Sequence, residues 1–169
     1  MLSIFGRLSL MAMRPSTIAT RLYSGHDQHV FSMVQQILKT ATTTTGFDRM
    51  ASNMEVVSVE PGKVKVQFKV EEEHLNGHGT LHGGYTSFLT DLISTLALMT
   101  TGNGNPGVST DLSVAYMRSA KLNEIITIDA DTLKTGKLLT FSTVDFRNEA
   151  GTLIAQGKHT KFVGGGASS

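Results

Sequence analysis

The stretch that most constrains this chain is Asn76–Thr101, NGHGTLHGGYTSFLTDLISTLALMTT. A loop rich in glycine and histidine runs into Gly83-Gly84, and an apolar segment with one charge, Asp91, follows at once. From Tyr85 to Thr100 the apolar positions Phe88, Leu89, Leu92, Ile93, Leu96, Ala97 and Met99 cover most of a helical circumference. A helix apolar nearly all round is buried in its domain. Ser87, Ser94 and Thr95 neighbour Asp91 at helical spacing, so one narrow polar stripe crosses that helix. A glycine-rich loop that opens a helix leaves backbone N–H groups unpaired, free to face an anion or a developing oxyanion. A carboxylate about two turns further along suits a general base or a nucleophile. The plain alternative is that the glycines only permit close packing and that Asp91 is solvated. Against it, a lone carboxylate on a buried helix is costly unless hydrogen-bonded or functional.

The remaining sequence supplies a sheet to enclose that helix. Met54 to Val70 predicts a hairpin: Val56, Val57 and Val59 lead into Pro61-Gly62, and Val64, Val66, Phe68 and Val70 then alternate with polar residues. Four more strands are expected at Val108–Tyr116, Glu124–Leu133, Leu138–Asn148 and Thr152–Val163. Tight turns at Lys134–Lys137 and Glu149–Gly151 separate the last three. Between Asp27 and Thr40, Val30, Phe31, Val34, Ile37 and Leu38 recur at helical spacing, predicting an amphipathic helix on the outside of the domain, followed by a linker after Thr45. The order helix, two strands, buried helix, four strands predicts an α+β fold, with helices on one side of an antiparallel sheet.

Composition excludes several classes. At 169 residues and 40% apolar content the chain fits one domain with extensions. No cysteine is present, which removes disulfides, thiolate zinc sites and a cysteine nucleophile. No apolar run approaches the ~20 residues of a membrane span. Arg7, Arg14 and Arg21 supply three of the fifteen basic residues, with no acid among residues 1–23, so the body carries two more acids than bases. A slightly acidic body argues against nucleic-acid binding. Residues 1–23 have the Arg- and Ser-bearing, acid-free character of a mitochondrial transit peptide, with a cleavage-like Arg21-Leu22-Tyr23-Ser24. They predict a matrix location; a disordered tail and a cytoplasmic protein are the alternative. The domain then spans 24–163, and 164–169 (GGGASS) form a flexible tail.

Other motifs carry little. Gly102, Gly104 and Gly107 match G-x-G-x-x-G, yet they follow a helix and open a strand, the reverse of a dinucleotide site. His74, His78 and His82 are spaced by four with glycines between, so a helical metal site is not expected, and no metal or other cofactor is assigned. Arg118, Lys121, Lys134, Lys137, Lys158 and Lys161 stand at strand ends and turns, as solubilising charge or as a rim for phosphates.

The runs EEEHLNGHGTLHGGYTSFLTDLISTLAL, PGVSTDLSVAYMRSAKLNE and LIAQGKHTK resemble the hotdog-fold thioesterases of the phenylacetic-acid-degradation subgroup. The likeness covers about Asp27 to Lys161, and Asn76, HGG, Asp91 and the P-G-V-S-x-D strand carry it together. The resemblance implies an antiparallel sheet of five or six strands wrapped around a long central helix. It implies side-by-side dimers paired into homotetramers, with active sites at the dimer interface. Asn76, His82, Gly83 and Asp91 match the family's catalytic positions, and Ser109 its water-orienting serine. Coenzyme A contacts fall on Tyr116, Met117, Arg118, Ser119, Ala120 and Lys121, and on Lys134, Thr135, Gly136, Lys137, Leu138 and Leu139. Where the family carries a basic or polar residue near its C-terminus, this chain has Phe162. The implied activity is hydrolysis of medium- to long-chain fatty acyl-coenzyme A, with a backbone oxyanion hole. One alternative is a non-catalytic partner protein that binds acyl-coenzyme A or lipid on the same fold. A dehydratase would need a His/Asp pattern that is absent.

Overall fold

The computed structural model describes residues 25–164 except Asn103. Its elements run α1 (Gly25–Thr42), β1 (Glu55–Glu60), β2 (Lys63–Lys69), α2 (Gly83–Met99), β3 (Val108–Tyr116), β4 (Ile125–Thr135), β5 (Leu139–Arg147) and β6 (Leu153–Phe162). The six strands form one antiparallel sheet in the order β1-β2-β4-β5-β6-β3. After β2 the chain crosses the sheet through α2, adds β3 at the far edge, and returns to place β4 beside β2. The crossing puts α2 against β2, β3, β4, β5 and β6, so the sheet curls around it.

Strand alternation decides which residues meet the helix. Val66, Ile128, Phe146 and Ala155 form one paired row across β2, β4, β5 and β6, and all four are buried. Leu89 and Ile93 of α2 are fully buried beneath the sheet and Leu96 nearly so. Each such side chain contributes on the order of 1.5–3 kcal/mol relative to exposure. In the next row Gly157 stands between Val144 and Val114. A Cβ there would collide with the side chain of Thr90, so glycine sets how closely α2 approaches β6.

Local signals define the ends of α2. His82 stands at the N-cap in extended conformation, and its Nδ1 accepts the Gly84 N–H at 2.8 Å. A Cβ on Gly84 would lie 3.0 Å from the His82 ring, so the glycine makes room for the cap. At the other end, Thr100 returns its hydroxyl to the Ala97 carbonyl at 2.7 Å and accepts the Gly62 N–H at 2.8 Å, tying the β1–β2 turn to the helix. Gly102, Gly104 and Gly107 then all take positive φ, the turn geometry expected where a helix ends and a strand begins.

Three expectations need correction. α1 does not merely rest on the outside, because Val34 and Leu38 are buried in the core against the β1 end of the sheet. The linker after Thr45 contains a 3₁₀ turn, Phe47–Ala51, pinned by an edge-on contact of Phe47 with Phe88 (4.9 Å) and by buried Ala51. Lys134 and Thr135 are not turn residues: they pair with Phe141 and Thr140, and the reversal occupies Gly136 to Leu138. A bulge between Thr132 and Lys134 lets β4 run on, hiding that extension from a plain alternation count.

Candidate active site

The polar features gather at two places along α2. The first is its N-terminal mouth. As the first helical residue, Gly83 has no intrahelical acceptor for its N–H, and no described residue takes it. The Gly83 carbonyl is held by Tyr116 Oη (2.9 Å) and Ser87 Oγ (3.2 Å), and these two hydroxyls lie 2.8 Å apart. Tyr116 therefore belongs to the mouth itself. The preceding loop is braced from both sides: His82 N–H donates to the His74 carbonyl and Leu81 N–H to that of Ala120. Asn76 turns Oδ1 back on its own loop, accepting the His78 and Thr80 N–H groups at 2.9 and 3.3 Å. Its Nδ2 gives one hydrogen to Thr80 Oγ1 at 3.0 Å, and no described residue takes the second.

Two turns further on stands Asp91, its side chain 49% exposed. Polar atoms surround Oδ1: Thr95 Oγ1 at 3.3 Å, Ser109 Oγ at 3.5 Å, Lys161 Nζ at 3.5 Å and His159 Nε2 at 3.7 Å. Oδ2 has no partner among the described residues. Behind the carboxylate runs a chain of polar contacts. His159, almost fully buried, bridges Ser94 Oγ (Nδ1, 2.7 Å) and Ser109 Oγ (Nε2, 2.9 Å). Ser94 gives its proton to the Thr90 carbonyl at 2.6 Å, so its oxygen accepts from His159 Nδ1–H. That leaves Nε2 as acceptor for the Ser109 hydroxyl. Every group is then satisfied with a neutral imidazole. Burial pushes the His159 pKa down, aided by the Lys161 cation and opposed by Asp91 and Asp111. Burial also lowers the Lys161 ammonium, with Asp91 pulling it back.

Not all predicted residues meet. Asn76, His82, Gly83 and the Tyr116–Lys121 segment cluster at the mouth, with Lys121 bridged to Thr80. Asp91 and Ser109 form the second cluster. The Lys134–Leu139 segment lies at the opposite end of β3 from Tyr116, since Leu139 and Val108 both flank Phe162 while Tyr116 pairs with Ala155. Ala120 is buried, so only its backbone faces the loop. His159 was missed and Lys161 was counted as a surface cation, yet only 7% of Lys161 is exposed. Parity was the available signal: both share the inward register of Ala155 and Gly157 on β6.

The histidines spaced by four are committed elsewhere. His74 is fully buried, stacked on Tyr85 at 4.5 Å, while His82 caps the helix. Among the described residues Glu71, Glu73 and His74 are the one group with metal-ligand proximity. His74 Nδ1 accepts the Glu71 N–H at 3.0 Å, so Nε2 carries the proton of the neutral ring and offers no lone pair. No helix among the described residues is long and apolar enough to cross a membrane.

An antiparallel sheet curled around one buried helix, with a free amide at the helix mouth and a carboxylate on its flank, is the hotdog architecture. Residues 78–155 match the family described as Thioesterase superfamily. The sequence is 51% identical over 132 residues to human acyl-coenzyme A thioesterase 13, covering 78% of this chain and 94% of that one. Zebrafish thioesterase superfamily member 2 superposes with a TM-score of 0.78 at 51% identity, over 79% of this chain and 98% of the other. A hypothetical thioesterase of Streptococcus pneumoniae TIGR4, solved with coenzyme A, gives 0.64 at 33% identity, over 69% and 89% of the two chains. The chain belongs to the thioesterase superfamily and is a thioester hydrolase.

Proposed function

We propose that the enzyme hydrolyses medium- to long-chain fatty acyl-coenzyme A to the fatty acid and coenzyme A. The observation that carries the reading is the setting of Asp91, the one charge on α2, half exposed and backed by buried His159 and Lys161. A protein that only binds acyl-coenzyme A has no use for such a carboxylate beside the thioester. The relatives named acyl-coenzyme A thioesterase 13, and the neighbour solved with coenzyme A, support the substrate class.

In this mechanism the Gly83 N–H and the spare Asn76 Nδ2 hydrogen receive the thioester oxygen as it becomes an oxyanion. Because Ser109 spends its proton on His159, Ser109 Oγ and Asp91 are both acceptors on the same side. A water that donates one hydrogen to each has its lone pair turned outward, toward the carbonyl carbon. Asp91 takes the proton, the tetrahedral intermediate collapses, and the C–S bond breaks. The leaving thiolate is a good leaving group, so no strong general acid is needed. Direct attack by Asp91, giving an anhydride, uses the same geometry.

One chain cannot supply both halves. Gly83 and Asp91 are eight residues apart on one helix, about 12 Å along its axis. Reacting groups must approach within about 3–3.5 Å. β3 is an edge strand, with Ser109 near one end and Tyr116 at the other, roughly 20 Å away. An antiparallel two-fold pairing of two β3 strands would lay the Gly83–Tyr116 end of one copy against the Asp91–Ser109 end of its partner. It would also join Tyr116–Lys121 of one copy to Lys134–Leu139 of the other as one rim for coenzyme A. Two such dimers make the homotetramer. Residues 1–23 lie outside the described residues and are assigned as a matrix-targeting segment; a native chain found uncut in the cytosol would exclude that.

The test is hydrolysis of medium- and long-chain acyl-coenzyme A by wild type and Asp91→Asn. The variant should lose about 10²–10⁴ in kcat, the range general-base catalysis supplies. Equal rates, with both proteins folded, overturn the assignment.

A further inference from the structure

We infer that Lys161 is a positioning residue for hydrolysis: seated on Thr95, its ammonium fixes Oδ1 of Asp91 and leaves Oδ2 for the attacking water. The inference rests on the reading of Asp91 given above and extends it to a residue on β6. Lys161 Nζ donates to Thr95 Oγ1 at 2.6 Å and reaches Asp91 Oδ1 at 3.5 Å. Thr95 passes its own proton to the Asp91 carbonyl at 2.7 Å, so its hydroxyl oxygen is free to accept from the lysine. The seat therefore has a definite donor order, from ammonium to hydroxyl to helix backbone. A lysine 7% exposed in the inner row of a strand is not placed there to solubilise the surface or to reach phosphates.

The charge matters as well as the contact. An opposite charge within about 4–6 Å favours the ionised carboxylate. Asp91 must be ionised whether it acts as base or as nucleophile. From the strands packed against it, the titratable groups facing Asp91 are His159 and Lys161 of β6; Asp111 of β3 acts on His159. With His159 neutral, Lys161 is the cation left to set the charge balance.

Removing the ammonium takes the clamp off Oδ1, so the loss should fall on kcat and not on KM. For Lys161→Met we expect kcat to fall by about 10- to 100-fold near neutral pH, with KM little changed. Thr95→Val keeps the charge and removes the seat, so kcat should fall with KM again little changed. This second variant decides the matter if Lys161→Met does not fold, as judged by circular dichroism. Unchanged kcat in both variants overturns the inference, and so does a raised KM with kcat intact, the signature of a phosphate contact. Asp91→Asn, assayed alongside, separates the two failures. If it keeps full rate, the hydrolytic reading itself has failed. If it is inactive while both other variants match wild type, only the role of Lys161 has.

Discussion

His159 shows at the scale of one residue that the Asp91 carboxylate stands within a set of polar groups. Its ring joins α2 to β3, through Ser94 on one nitrogen and Ser109 on the other, and burial keeps it neutral. The same burial gives stability a pH dependence. The folded-state pKa lies below that of the unfolded chain, about 6.5 for a histidine. As pH falls below that value the unfolded chain takes a proton that the native protein resists, and stability declines toward the lowered folded pKa. Urea unfolding of wild type between pH 8 and 5 should show this loss, and His159→Gln should show a shallower one. An identical slope in the variant would assign the pH dependence to other groups. The sequence carries a trace of this residue in the inward parity of β6. Nothing in the sequence tells that Ser94, expected beside Asp91 on the polar stripe, is fully buried and faces that strand.

Among the elements, the helix and its distance from the sheet do most to place the site. The hydroxyls of Thr86, Thr90 and Ser94 each return to a carbonyl one turn back, so a polar stripe sinks against β6 without unpaired groups. Gly157 is what allows the approach, because Thr90 fills the space a Cβ would take. Gly157→Ala should cost about 1–3 kcal/mol, the usual penalty of overpacking. It should also lower kcat, by pushing β6 and its His159 and Lys161 away from Asp91. Denaturant midpoints and steady-state rates on the same preparation check both. A variant as stable and active as wild type would mean that β6 yields freely at this position. Element order and type were legible in the sequence, as was the extent of β3, since period-two and helical spacing are strong local signals. The β4–β5 turn was misjudged, because a bulge hides a strand's continuation from any local count.

In the whole molecule, the separation of the two clusters governs. The amide mouth and the carboxylate cannot meet across about 12 Å of one helix. A dimer through β3 would close that gap twice, by symmetry. Asn76→Ala and Asp91→Asn, each nearly inactive alone, should therefore recover activity when mixed under conditions that exchange subunits. A mixed dimer holds one site free of both changes. No recovery, with exchange demonstrated by a tagged chain, would mean that each site draws on a single copy. Sedimentation should find a dimer or a dimer of dimers, and a monomer with full activity would refute this arrangement.

The sequence by itself determined the order of helices and strands, and the buried helix with its glycine-rich opening and its single carboxylate. These depend on spacing along the chain, and spacing is local. Only the tertiary structure decided that the clusters stand apart, that Lys161 turns inward, and that His159 bridges two serines. Those facts depend on which strands become neighbours: β3 beside β6, some fifty residues later in the chain, is a pairing set by the enclosure of the core and not by any local pattern.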